Sequence, residues 1–253
     1  MNKILTTLVG GALLASSLNA DLARVEMGVG TWMQTPSGSS QTSDTSGLLS
    51  MKGTYTSSES DSSEIYFWAL IKHPIPIVPN LRLEYVTLSD EGTTTGTVNG
   101  LKAADAPTAI DMTQIDIIPY YNLLDNTFWM TVDVGLDIKV LTTDVKVNDL
   151  VATGTDDIFN ASESTALPLL YLRGRVEIPA TNIGFESDVK YISYDSATMY
   201  DIRLKVDYTL DFIPVIQPAL ELGYRMQKFD VSDSDTNIDL EYAGMYVGLM
   251  ARF

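Results

Sequence analysis

Apolar and polar residues alternate one and one along most of this chain, and only polar or proline-bearing joins break the alternation. From Thr127 to Leu141, Phe128, Met130, Val132, Val134, Leu136, Ile138 and Val140 fall on one face, with Thr131, Asp133, Asp137 and Lys139 on the other. From Met199 to Asp211, Tyr200, Ile202, Leu204, Val206, Tyr208 and Leu210 oppose Asp201, Arg203, Lys205 and Asp207. Successive side chains leave a pleated backbone on opposite faces, so a period of two predicts strands. Ten are predicted, over 22–34, 62–73, 80–91, 110–121, 127–141, 165–178, 183–195, 199–211, 215–230 and 238–253. In IYFWALI both faces are apolar, and only Glu64 and Lys72 set its phase.

The joins alternate in length. Those at 35–61, 92–109 and 142–164 read as long polar loops, whereas HPIPIVPN, NLLDN, PATN and DFIPV are short. An even strand number puts both termini at the end that carries the short joins. Short turns on one side and longer loops on the other are the asymmetry of an outer-membrane barrel, with the termini in the periplasm. The expected fold is therefore an all-β, antiparallel, up-and-down transmembrane β-barrel of about ten strands, apolar face to lipid and charged face to the lumen. A secreted sandwich or a soluble barrel alternates as well, but with its apolar face inward. The dense mixture of acids and bases on the polar face argues against that arrangement.

The first residues do not alternate. Met1-Asn2-Lys3, the apolar run Ile4 to Ala15 and the small residues up to Ala20 read as a secretory signal peptide over 1–20, leaving 21–253 as the barrel domain. No later stretch matches the roughly 20 apolar residues of a membrane helix.

Composition narrows the function. With 33 Asp and Glu against 16 Lys and Arg, the chain carries −17, which opposes nucleic acid as a partner. Cys is absent, so thiol chemistry and Cys-ligated metal are excluded. His73 is the single His and falls in HPIPIVPN at the short-join end, so it reads as a turn residue and no catalytic residue is assigned. Asp233, Asp235, Asn237 and Asp239 mimic the start of a calcium loop, but Ile238 stands where its glycine is needed and Gly244 where its last ligand is needed. No cofactor or metal is implied.

On the polar face, eleven bases meet twelve acids. The candidate network is Asp133, Asp137, Lys139, Arg173, Arg175, Glu186, Asp188, Lys190, Asp201, Arg203, Lys205, Asp207, Glu221 and Arg225. Charges in a narrow lumen must pair to offset their desolvation, and a ten-stranded barrel is little wider than the side-chain-filled eight-stranded kind. A closed, charge-filled barrel is thus expected, with Lys52, Lys102, Lys146 and Lys228 too few to balance the acidic remainder outside. Two functions stay open: a structural or surface-interaction protein displaying acidic loops, and a narrow channel or small-ligand uptake barrel.

The strings DLARVEMGVGTW, LIKHPIPIVPNLRLEYV, DIIPYYNLLDNTFW, VEIPATNIGFESDVKYISYD, YDIRLKVDYTLDFIPVIQPALELGYR and GLMARF are similar to a family of functionally uncharacterised bacterial outer-membrane β-barrel proteins. The resemblance covers most of the chain outside the signal peptide and the three long joins, and it implies a Gram-negative outer-membrane location. It brings outer-membrane lipid, lipopolysaccharide and the barrel-assembly machinery as partners. The closing stripe Met245, Val247, Leu249, Ala251 and Phe253 looks like the assembly signal of such barrels. The resemblance supplies no catalytic or binding residue, and oligomeric state stays open.

Overall fold

In the computed structural model, residues 23–43, 51–75, 77–152, 155–210 and 216–253 are described; the expected signal peptide at 1–20 and the join DFIPV lie outside them. Among these residues the chain forms β1 (Arg24–Thr42), β2 (Met51–Ser57), β3 (Ser62–Lys72), β4 (Asn80–Val98), β5 (Leu101–Thr127), β6 (Met130–Ala152), β7 (Thr155–Glu177), β8 (Ile183–Tyr194), β9 (Ala197–Thr209), β10 (Gln217–Ser232) and β11 (Thr236–Arg252). Each strand pairs antiparallel with its neighbours, and β1 pairs with β11 to close the ring. β2 and β3 both bridge β1 and β4, so they are two halves of one stave, interrupted at 58–61. The result is a closed ten-stave barrel without a free edge.

The start of β1 and the end of β11, the turns after β3 and β7, and the β5–β6 turn share one end of the barrel, here the lower end. There the last residue closes the ring, with the Phe253 amide donating to the Val25 carbonyl at 2.9 Å.

The faces follow the alternation. Leu136, Ile138, Leu170, Leu172, Leu204, Val206, Leu220, Leu222, Val247 and Leu249 point outward and are exposed, while the charges of the opposite parity are buried. The outward apolar band covers nine residues on β1 (25–33), β7 (168–176) and β11 (243–251). That matches the roughly 9–11 residues a tilted strand needs to cross hydrocarbon.

Above the band the sense of the faces reverses. On β5 the outward residues change from Ile115 and Ile117 to Thr113 and Asp111, while the inward residues change from Asp116 and Gln114 to Met112 and Ile110. On β6 the outward series runs Ile138, Val140, Thr142, Asp144, and the inward series Lys139, Leu141, Thr143, Val145. The upper barrel is built like a water-soluble one, with Val98, Ala106, Val147 and Leu150 buried inside it.

This reversal corrects the three long loops expected at 35–61, 92–109 and 142–164. Most of those residues continue the strands, and the β4–β5 connection is only Asn99-Gly100, both at positive φ. Asn-Gly suits a tight hairpin turn, which needs positive φ at both central residues. The segments look like loops because their outward residues meet water and are polar, but Thr93-Thr94-Thr95 and their neighbours are good strand formers. Bulges bend these extensions between Thr94 and Gly96, Lys102 and Thr108, and Val147 and Leu150. Asp105 and Asp149 sit at positive φ within the last two.

A second correction concerns NLLDN. It is strand, and β5 turns instead at Phe128-Trp129, with φ of 52° and 62°. Bulky residues rarely accept this conformation. Both rings are exposed, as are Leu123, Leu124 and Ile77 at the same end of the barrel.

Candidate functional site

The inward face of the lower barrel holds the chemistry. Its walls supply Glu26 from β1; Arg82 and Glu84 from β4; Asp116 from β5; and Asp133, Asp137 and Lys139 from β6. The remaining staves add Arg173 and Arg175; Glu186, Asp188 and Lys190; Asp201, Arg203, Lys205 and Asp207; Glu221 and Arg225; and Arg252.

The pairs form connected layers. At the lower mouth Lys72 meets Asp125 at 2.6 Å, Arg24 meets Glu26, and Asn80 reaches Asp133 through Asn122. Arg173 then links Asp133 at 2.6 Å to Glu186 at 2.7 Å. Glu186 is a hub, with Arg82, Arg175, Arg203 and Lys205 also within 4 Å. Asp207 is gripped by both nitrogens of Arg175, at 2.6 and 3.1 Å, and by Arg252 at 2.8 Å. Arg203 forks onto Asp188, and Arg225 onto Asp201, each with bonds of 2.6 and 2.9 Å. Bidentate charge-assisted bonds of this kind are strong and directional.

Several links cross the lumen. Lys190 on β8 reaches Glu84 on β4 at 2.6 Å and Asp116 on β5. Lys139 meets Asp116 at 2.7 Å. Gln114 on β5 donates to Gln227 on β10 at 2.8 Å, and these are diametrically opposed staves of the ten. Gln227 in turn donates to Asp201.

Aromatic rings fill what the charges leave. Glu221 accepts from the Tyr66 hydroxyl at 2.6 Å and from the Trp68 indole at 3.2 Å. Arg82 and Lys205 lie over the Trp68 ring, and Arg225 over Trp32. Gly28 and Gly30 make this possible: a Cβ on the first would run into the Trp68 indole, and one on the second into the Tyr66 hydroxyl. The parity set by Glu64 and Lys72 already puts Tyr66 and Trp68 on the charged side; their role as fillers needed the ring closure to be seen. Arg82, Glu84 and Asp116 belong to the same layers and carry as many links as the named candidates.

Asp137 stands apart. It is buried, yet neither carboxylate oxygen accepts a hydrogen bond among the described residues; Lys190, Asp116 and Lys139 are the charges around it. Two voids open at the lower mouth: one of about 20 Å³, room for about one water molecule, lined by Arg24, Glu26, Lys72, Asn122 and Asp125 among others, and one of about 170 Å³ lined by Arg175, Glu177, Thr209 and Arg252 among others. A furrow of about 540 Å³ over Gly174 and Ser187 opens on the outward apolar face, not inside.

His73 lies outside this network. Its ring sits in the 73–79 turn, with Nε2 3.0 Å from the Pro79 carbonyl and Nδ1 accepting from the Ile75 amide.

No family model matches the sequence, and no curated protein does. Among solved structures, the outer membrane protease OmpT of Escherichia coli is 11% identical with a TM-score of 0.49, covering 93% of this chain and 98% of that one. A Pseudomonas aeruginosa FadL homologue is 7% identical with a TM-score of 0.40, covering 92% and 90%. The P. putida toluene transporter TodX is 8% identical with a TM-score of 0.28, covering 95% and 92%.

Proposed function

We propose that this chain is an integral barrel of a bacterial outer membrane whose lumen is an ionic core rather than a conduit, and whose role is structural or surface-interacting. The outward band supports the membrane setting. A closed barrel satisfies its backbone hydrogen bonds between strands, which hydrocarbon demands. The termini and short turns would face the periplasm, and the tall hairpins of β4–β7 the outside. Phe253 would serve as part of the signal read by the assembly machinery. Above the band the outward residues include Glu91, Asp111, Asp144 and Glu241, so the displayed surface is acidic and suits basic partners or cation-bridged lipopolysaccharide.

One observation carries the closed reading: hydrogen bonds and ion pairs run from wall to opposite wall, Gln114 to Gln227 and Lys190 to Glu84. A side-chain lattice of that span leaves no continuous water column. Purified protein in a planar lipid bilayer should therefore show negligible conductance. A large, stable open current would overturn the reading in favour of a narrow channel or an uptake barrel.

A further inference from the structure

We infer that the barrel is closed twice, by an ionic seal within the apolar band and by a separate apolar seal above it, so that opening one leaves the other shut. This rests on the closed-lumen reading and adds to it a second, independent element.

The upper seal is built from the face reversal. Leu88 on β4 and Met112 on β5 are directly paired, and both are buried. Val145 enters from β6 and Leu240 from β11, diametrically opposed staves, yet both belong to one buried apolar cluster. Phe229 packs edge-on against Tyr242, with ring centroids 6.3 Å apart. Apolar side chains from β4, β5, β6, β10 and β11 thus fill the upper bore, as they do in a soluble core. An ion meeting such a constriction must shed its hydration without receiving a polar partner, which is how hydrophobic gates block current.

The two seals differ in what holds them. Below, Arg203 and Lys205 hold Asp188 and Glu186. Above, burial of apolar surface holds the seal, and removing charges below does not weaken it. The glutamine pair Gln114–Gln227 lies between them, bonded to Asp201 below, with Tyr242 paired beside Gln227 and Met112 the next inward residue above Gln114.

A thiol placed at this boundary reads each seal separately, because the chain has no cysteine of its own. The test uses Gln227→Cys, which gives up the Gln114 bond but keeps the Lys190 links to Glu84 and Asp116, in full-length protein folded in detergent and treated with a charged maleimide, with planar-bilayer conductance measured on the same seal variants without the cysteine. Arg203→Ala with Lys205→Ala loosens the lower seal, and Leu88→Ser with Val145→Ser the upper. The thiol should be inert in the intact barrel and react at least about tenfold faster when either seal is loosened, as for access through local opening. Steady current should appear only when both are loosened. Heat-modifiable gel mobility checks folding, and Arg203→Gln with Lys205→Gln or Leu88→Ala with Val145→Ala replaces any pair that fails it. Current from a variant with one loosened seal overturns the two-seal inference alone. So does a folded variant with both loosened that stays silent. Current from the unsubstituted protein overturns the closed reading itself.

Discussion

Arg225 and Asp201 hold each other by two short bonds in a buried layer. Arg225→Ala leaves Asp201 with the neutral Gln227 amide at 2.9 Å and the more distant Lys139 and Lys190, at 3.5 and 3.6 Å. Breaking a buried pair this way costs about 3–5 kcal/mol, and urea unfolding in lipid vesicles should show it. Asp137→Asn is the control: with no hydrogen-bond donor to lose, it should leave the unfolding midpoint unchanged or raised. On the outer face, Leu204→Arg should cost about 2–4 kcal/mol, the range for a cation near a barrel's midplane. A harmless Leu204→Arg would mean that this face does not meet hydrocarbon. In the upper barrel, burial raises the Asp90 carboxyl above its ordinary range, against the hydrogen bond from Ser57 at 2.7 Å, with Glu91 adding to the rise. A carboxyl that binds its proton more tightly when folded favours the folded state below its unfolded pKa, and that contribution is lost as pH rises through the folded value. Stability should therefore fall as pH climbs from the acid side through that window, and Asp90→Asn should remove this component. Unfolding midpoints measured across pH for both proteins decide it.

At the scale of single elements, the Phe128-Trp129 turn spends backbone strain on exposed rings. Residues held at positive φ against their preference cost of order 1–3 kcal/mol each, and aromatic residues at a bilayer's edge recover such a cost by anchoring there. Trp32 and Trp68 are buried in the lumen, so Trp129 is the exposed tryptophan. With Trp32→Phe and Trp68→Phe, its fluorescence should be quenched strongly by lipids labelled at the headgroup and weakly by those labelled at the chain end; the opposite order would remove the turn from the interface. This element also marks the limit of sequence reading. NLLDN has every compositional mark of a turn, and only pairing of β5 with β6 moves the reversal to two aromatic residues. The band strands were legible because hydrocarbon and lumen sort residues sharply. The upper halves were not, because there the same alternation carries weaker contrast and the opposite sense. The lumen residues could be named from parity on β8 and β9, but which base meets which acid follows from ring closure, as with Lys190 crossing to Glu84.

For the whole molecule, closure depends on the last residue. Phe253 and Val25 exchange backbone hydrogen bonds at the seam between the first and last staves. Deleting Phe253 should lower the amount of folded protein in outer-membrane fractions and leave aggregated or degraded chain; unchanged levels with normal heat-modifiable mobility would remove it from assembly. Since β4 and β5 run on as strands to the tight Asn99-Gly100 tip, protease added to intact cells should cut at that tip rather than along 92–98 or 101–109. The reversal of faces along these staves also bears on how the chain finds its one correct alignment. A slip of β6 by one residue against β5 would push Asp137 and Lys139 toward hydrocarbon and, in the same movement, turn Val145 and Val147 out to water. An ordinary membrane barrel with a watery interior is penalised for such a slip only where it meets lipid. Here the error is punished in two solvents at once, so misaligned hairpins should be short-lived during assembly even though no single stave is strongly apolar from end to end.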